Sequence, residues 1–196
     1  MKEGNKMKEQ VVYGLNNVHV AKLTKNDGQI TYGKPIKIPG AVNFSADPEG
    51  DTSKFFADNR PYFMKTANNG YSGTLEIADV PEEFLTEILG QKKDKNGAII
   101  ENSGDKDSEF ALMCEMEGDP SQRRIVFYDC KATRPSISTS TNEEGVEVKT
   151  ATMDLTMAPR STDGQVKAVL DLTDENKAVY DTFFDKVYEK DATASV

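Results

Sequence analysis

Apolar residues along the chain fall mostly at every second position, the spacing of half-buried strands. In "VVYGLNNVHVAKL", Val18 and Val20 alternate with His19 and Ala21, which predicts a strand. "KNDGQITYG" follows, where Asp27-Gly28 is a hairpin signal and Ile30 and Tyr32 share one face of the return strand. Pro35 and Pro39 make "KPIKIPGAVNF" a sheet edge or a connection rather than a central strand. "RPYFMKTANNGYSGTLEIA" predicts a short strand, an Asn69-Gly70 turn and a second strand with Tyr71, Gly73, Leu75 and Ile77 on one face. Phe110, Leu112, Cys114 and Met116 alternate in "FALMCEME"; "GDPSQRR" reads as a turn and "IVFYDC" as the partner strand. A turn at Glu144-Gly145 leads into a long strand through "TATMDLTMAPR". Its apolar phase slips by one residue between Val148 and Ala151, which predicts a β-bulge or a change of sheet.

Two stretches carry the helical period instead. In "ADVPEEFLTEILGQ", Asp79 is placed to cap a helix, Pro81 suits its first turn, and Glu82 and Glu83 sit at the positive end of the dipole. Phe84, Leu85, Ile88 and Leu89 make one apolar stripe and Gly90 can end the helix, so a helix over 80–89 should lie on a sheet. In "DLTDENKAVYDTFFDKVYEK", Val179, Phe183 and Val187 recur every four residues and Thr173 can cap the start, which predicts a C-terminal helix. The turn-rich 92–109 reads as a loop or a small exposed hairpin. The fold class is therefore mainly β (α+β), a β-sandwich or partial barrel with a flanking α-helix.

One stretch fits neither period. Residues 41–59, "AVNFSADPEGDTSKFFADN", start as a strand, pass into a charged tip, and then set Phe55 and Phe56 among polar residues. A hairpin loop of about two to five residues would be usual, and this excursion is longer. Its pattern fits an Ω-loop covering its own subunit or a surface that meets a partner.

Composition narrows the chemistry. The 196 residues suit one domain of ordinary size, and 24 Lys and Arg against 33 Asp and Glu leave a net charge of −9. Such a surface repels phosphate backbones, whereas nucleic-acid binders gather Lys and Arg. The start has no apolar run fit for a signal peptide and nothing later is suited to span a bilayer, so synthesis in the cytoplasm is expected. Cys114 and Cys130 read as buried thiols, with a cross-strand disulfide as the alternative. His19, the single histidine, has no companion Cys or His at metal-ligand spacing, and its expected role is structural or at the surface. The acidic turns "DPEGD", "KDKNG", "GDKDSE" and "TNEEG" offer oxygen ligands for calcium, but none has the spacing of a calcium loop, and solvated turns are the better reading. Paired carboxylates of a glycoside hydrolase usually come with aromatic sugar platforms, and the chain has no Trp. No phosphate loop, dinucleotide fingerprint or nucleophile elbow is present in the sequence.

The order and spacing of several segments resemble the major tail protein (tail tube protein) family of long-tailed, non-contractile bacteriophages (siphophages). They are "YGLNNVHVA", "PGAVNFSADPEGD" with "FFADN" behind it, "NNGYSGTLEIADVPEEFLTEILG", "FALMCEMEGD", "VFYDCKATRP" and "TATMDLTMAPR" with "DGQVKA". The resemblance runs from about residue 11 to residue 170. It implies a flexible arm over 1–12, a tail tube domain over 13–170 with an assembly loop at 43–59, and a C-terminal helix and tail over 171–196.

It also implies a structural subunit without catalysis, cofactor or metal. Six copies would close into a ring with one continuous inner barrel, and rings would stack into a tube around the tape-measure protein. The tail terminator and tail-tip or baseplate proteins would be further partners. Viral DNA would pass without specific binding, and no membrane is involved. Within that frame, Phe55 and Phe56 become interface anchors, with Asp47, Glu49, Asp51, Lys54 and Asp58 as their polar rim. Glu76, Glu115, Glu147 and Asp154, in strand regions, become candidates for carboxylates lining the lumen. The alternative is a carbohydrate- or calcium-binding β-sandwich module of a phage tail tip or surface protein.

Overall fold

A computed structural model gives the fold and describes residues 14–57, 59–119, 121–139 and 149–190. Among them the strands are β1 (Leu15–Asn26), β2 (Gln29–Tyr32), β3 (Ile36–Lys37), β4 (Ala41–Glu49), β5 (Thr52–Ala57), β6 (Arg60–Thr66) and β7 (Gly70–Ile77). Helix α1 (Glu82–Glu87) follows, then β8 (Lys92–Lys93), β9 (Ile99–Ile100), β10 (Phe110–Met116), β11 (Arg124–Ala132), β12 (Ala151–Ala158), β13 (Lys167–Leu170) and α2 (Lys177–Asp181). Strands hold 48% of the described residues and helices 7%, so the fold is mainly β as the alternation predicts.

The main sheet runs β2-β1-β10-β11-β12-β7-β4, with β3 also on β1 and β13 also on β11. One continuous stretch bridges its two ends. Lys37 and Ile36 pair with His19 and Val20 of β1, and Ile38 N–H donates to the Val18 carbonyl at 2.8 Å. Just past Gly40, whose carbonyl accepts from Ala78 N–H at 2.7 Å, β4 pairs with β7. The sheet thereby curls into a partial barrel with 36–49 as its seam.

Alternation explains the interior. Val18 and Val20, Leu75 and Ile77, Phe110, Leu112 and Cys114, Phe127, and Met153, Leu155 and Met157 form one buried cluster inside the barrel. β10 is buried on both faces, because Ala111 and Met113 join a second cluster outside it with Ala21, Val126 and Tyr128. Phe183 and Val187 of the C-terminal segment cover that outer face. The Asp27-Gly28 hairpin holds as read: Asn26 pairs with Gln29, and positive φ at both central residues (46° and 80°) matches the strand twist.

Four expectations need correction. The 41–59 stretch is not one loop with a charged tip: β4 runs straight through Asp47, Pro48 and Glu49, paired to Ser72, Tyr71 and Gly70. Pro48 is tolerated because β4 ends the hydrogen-bonded order of the sheet. Asn69-Gly70 does not close a hairpin, since β6 pairs with β5 and β7 lies between β4 and β12. The central helix is shorter than 80–89: Pro81 is its N-cap, and the Asp79 carboxylate accepts from Val80 N–H instead of capping. Its stripe nevertheless buries Phe84, Ile88 and Leu89, with Leu85 partly covered. The C-terminal helix is α2 alone. Thr173 and Asn176 exchange side-chain-to-backbone bonds at its start, but residues after Asp181 continue as turns, and Val179 is exposed.

The small exposed hairpin expected in 92–109 is β8–β9. The arm over 1–12, the Glu144-Gly145 turn, Val148 with its phase slip, and the last residues from 191 lie outside the described residues.

Candidate functional site

Strands β5 and β6 form a two-stranded hairpin of their own, apart from the barrel sheet. Phe55 pairs with Phe63 and Lys54 with Met64, while Phe56 pairs with Pro61, so Tyr62 is the extra residue of a bulge. All the large side chains remain in water: Phe55 is 63% exposed, Phe56 60%, Tyr62 77%, Phe63 59% and Met64 61%. Phe55 and Phe56 therefore do not cover the core of their own subunit, which removes the Ω-loop reading.

The rim residues separate into two groups. Asp51 and Lys54 lie at the hairpin, whereas Asp47 and Glu49 belong to β4. Asp58 lies outside the described residues. Tyr62, Phe63 and Met64 were missed by pattern reading because 60–66 reads as an ordinary short strand leading to the Asn69-Gly70 turn. The available signal was the mirror placement of "FF" and "YFM" about residues 57–60.

A second surface emerges on the outward face of β4, β7 and β12. Asn43, Glu76 and Thr152 stand in one row, Ser45, Thr74 and Asp154 in the next, and Asp47, Ser72 and Thr156 in the third. Each row and each strand contributes one carboxylate, and the rest are small and polar. Leu75, Phe44, Met153 and Leu155 point the other way, into the core. Ser45 and Thr74 hydroxyls bond at 3.1 Å, and Thr150 donates to the Glu76 carboxylate.

Glu115 sits elsewhere. It accepts from Asn17 Nδ2 at 2.9 Å and pairs with Arg124 at 3.5 Å, on the face covered by the C-terminal segment. The Arg124 guanidinium in turn lies 3.7 Å from the Tyr180 ring centre. Glu147 lies outside the described residues.

The other titratable groups are held structurally. Burial pushes the Cys114 thiol up to about 12 and the Cys130 thiol up as well, and both cysteines are free. Asp94 Oδ1 accepts from the backbone N–H of Asn96 and Ala98 at 2.9 and 2.8 Å, and Asp105 Oδ2 accepts from Asn102 N–H at 2.7 Å. Those acidic turns spend their oxygens on their own backbone. Among the described residues no group of three or more His, Cys, Asp or Glu could hold a metal ion.

Comparison with known proteins adds the family. A family model described as "Phage tail tube protein" matches residues 1–190. The chain belongs to the phage tail tube protein family. Among curated proteins, none matches the sequence significantly. Among solved structures, it is similar to the "Cryo-EM structure of the anti-feeding prophage cap (AFP tube terminating cap)", at 13% identity and a TM-score of 0.51. That match covers 86% of this chain and 97% of the other. At this identity the likeness concerns the fold.

A tail tube protein is a structural component of the phage tail, and this chain exposes two candidate surfaces, the hairpin and the polar grid. For the tail tube family the hairpin is the more telling of the two. A soluble chain seldom leaves five large apolar side chains in water side by side without a partner for them.

Proposed function

We propose that this chain is the major tail subunit, joining copies of itself into stacked rings, six to a ring as the family resemblance implies, whose bore conducts the genome. The observation that carries the reading is the exposed hairpin β5–β6, which sets Phe55, Phe56, Tyr62, Phe63 and Met64 side by side in water. Aromatic anchors dominate interface energies, and a contact propagating head to tail turns rings into a tube. Asp51 and Lys54 lie beside the rings as an orienting rim. The tape-measure, terminator and tail-tip proteins are the further partners this role requires, and the chain acts without cofactor or catalysis.

The polar grid of β4, β7 and β12 supports the second half of the reading. Asp47, Glu76 and Asp154 are spread evenly over it among Ser, Thr and Asn, without Lys or Arg. A wall of this kind repels phosphates along its whole height and gives them no site to bind. Glu115, engaged with Arg124, is left out of this lumen assignment.

The test is Phe55→Ser with Phe56→Ser. The melting temperature should be kept and ring or tube formation, seen by light scattering and negative stain, lost. Unfolding of the double variant would return those rings to the subunit's own core. For the bore, Asp47→Lys, Glu76→Lys and Asp154→Lys together should slow ejection and make it salt-dependent; an unchanged rate would remove the grid from the lumen.

A further inference from the structure

We propose that the β5–β6 hairpin is gripped on both faces at once, each face by a different copy of this chain. The inference rests on the self-assembly reading and adds the arrangement of subunits around the hairpin. Side chains alternate across a strand, and directly paired residues share a face. Phe55 and Phe63 therefore stand on one face, together with the Ser53 and Lys65 pair. Phe56 and Met64 stand on the opposite face, together with Lys54. The bulge at Tyr62 lies on β6 and leaves the alternation along β5 intact.

The two faces are matched. Among the paired residues each carries two large apolar side chains and one lysine, with exposures of 63% and 59% on one face against 60% and 61% on the other, and Tyr62 at the bulge, 77% exposed, adds a fifth. Neither face is the solvent face. A hairpin lying on a single partner surface would bury one pair and leave the other pair in water. A two-stranded hairpin is also marginally stable alone, so burial on both sides is what would hold it rigid.

Charge identifies the occupant. Residues 51–66 carry three basic and two acidic side chains, a surplus of +1, while the whole chain stands at −9 and the remainder therefore at −10. A second copy presents an acidic surface to each lysine-bearing face. One hairpin with two such faces then ties three subunits together, which would give the tube stiffness without enlarging any single contact.

The experiment uses full-length chain with photoreactive benzoylphenylalanine at Phe55, at Phe56, or at both, mixed at trace level into excess unlabelled chain and assembled before irradiation. Each single label should give two-chain adducts on a denaturing gel, and the double label should add three-chain adducts. Assembly in which the double label yields two-chain adducts only would overturn the proposal, since both faces would then sit in one neighbour. Adducts confined to the labelled chain or to added lipid vesicles would overturn it as well. Should neither labelled nor unlabelled chain assemble, the self-assembly reading falls with it. As a second arm, Phe55→Ser/Phe63→Ser and Phe56→Ser/Met64→Ser should each keep the melting temperature and each abolish assembly; assembly surviving either one overturns the two-faced grip.

Discussion

The His19 imidazole lies on the Phe184 ring, with 4.7 Å between centroids and 27° between planes. This stacked pair joins the outer face of β1 to the C-terminal segment. Beneath it the backbone makes a bulge between Asn16 and His19, where Asn17 takes φ 50° and its carbonyl bonds His19 Nδ1 at 2.8 Å.

That contact makes stability depend on pH. Burial lowers the His19 pKa below its ordinary 6.5, Lys37 lowers it further, and the Asn17 carbonyl and Asp185 oppose. The unfolded chain therefore binds the proton more readily, so the stability is full above 6.5 and is lost as pH falls from there toward the folded value. Melting temperature should drop between pH 7.5 and 5.5, and His19→Gln should flatten that drop. An equal slope in both proteins would refute the assignment.

Arg160 fastens the far end of the same segment. It is buried, donates to Asp163 at 2.9 and 2.6 Å and to Glu189 at 2.6 Å, and its guanidinium lies 4.7 Å from the Tyr128 ring centre. Asp163 and Glu189 are partly exposed and can be rehydrated, so Arg160→Met should cost about 2–3 kcal/mol, below the roughly 3–5 kcal/mol for breaking a fully buried pair. Urea unfolding measures it, and limited proteolysis should find new cuts after residue 170. Unchanged cleavage would mean the clamp is not what holds the segment.

The thiols should report on unfolding. With Cys114 pushed up to about 12 and both thiols buried, neither should react with a disulfide reagent at pH 8 in the folded protein, and both should react in denaturant. Rapid labelling of the native chain would show that β10 and β11 open locally.

Gly73 sits where β7 meets β4, and a Cβ there would come within 1.9 Å of the Ser45 carbonyl oxygen. Gly73→Ala should cost about 2–3 kcal/mol, as overpacking does, and should raise hydrogen exchange over 41–49. Ser72→Ala, its neighbour on the polar grid, should stay within about 0.5 kcal/mol.

Period-two alternation made the barrel strands legible, because Leu75, Ile77, Leu112 and Leu155 each need one apolar side. Pairing was not legible in the same way. Asn69-Gly70 looks like a hairpin turn, yet β7 finds β4 and β12 because Phe44 and Leu155 complete the interior beside Leu75. β13 went unread, since its four residues are short and half exposed. The four-residue spacing of Val179, Phe183 and Val187 suggests a helix, but Phe183 reaches the outer cluster from a turn and Val187 from irregular chain, and tertiary packing outweighs the local preference there. At the candidate site, Phe55 and Phe56 were visible as anomalies while Tyr62, Phe63 and Met64 lay in what reads as an ordinary short strand.

The seam at 36–49 has a consequence for how the chain is made. β1 must wait for β10, and β7 for β12, so a ribosome has to release most of the polypeptide before the barrel can shut. The β5–β6 hairpin needs no such wait, since its two strands are neighbours in sequence. Each nascent chain thus exposes Phe55, Phe56, Tyr62, Phe63 and Met64 well before the barrel has closed, and dilution or a chaperone during translation should raise the yield of folded chain.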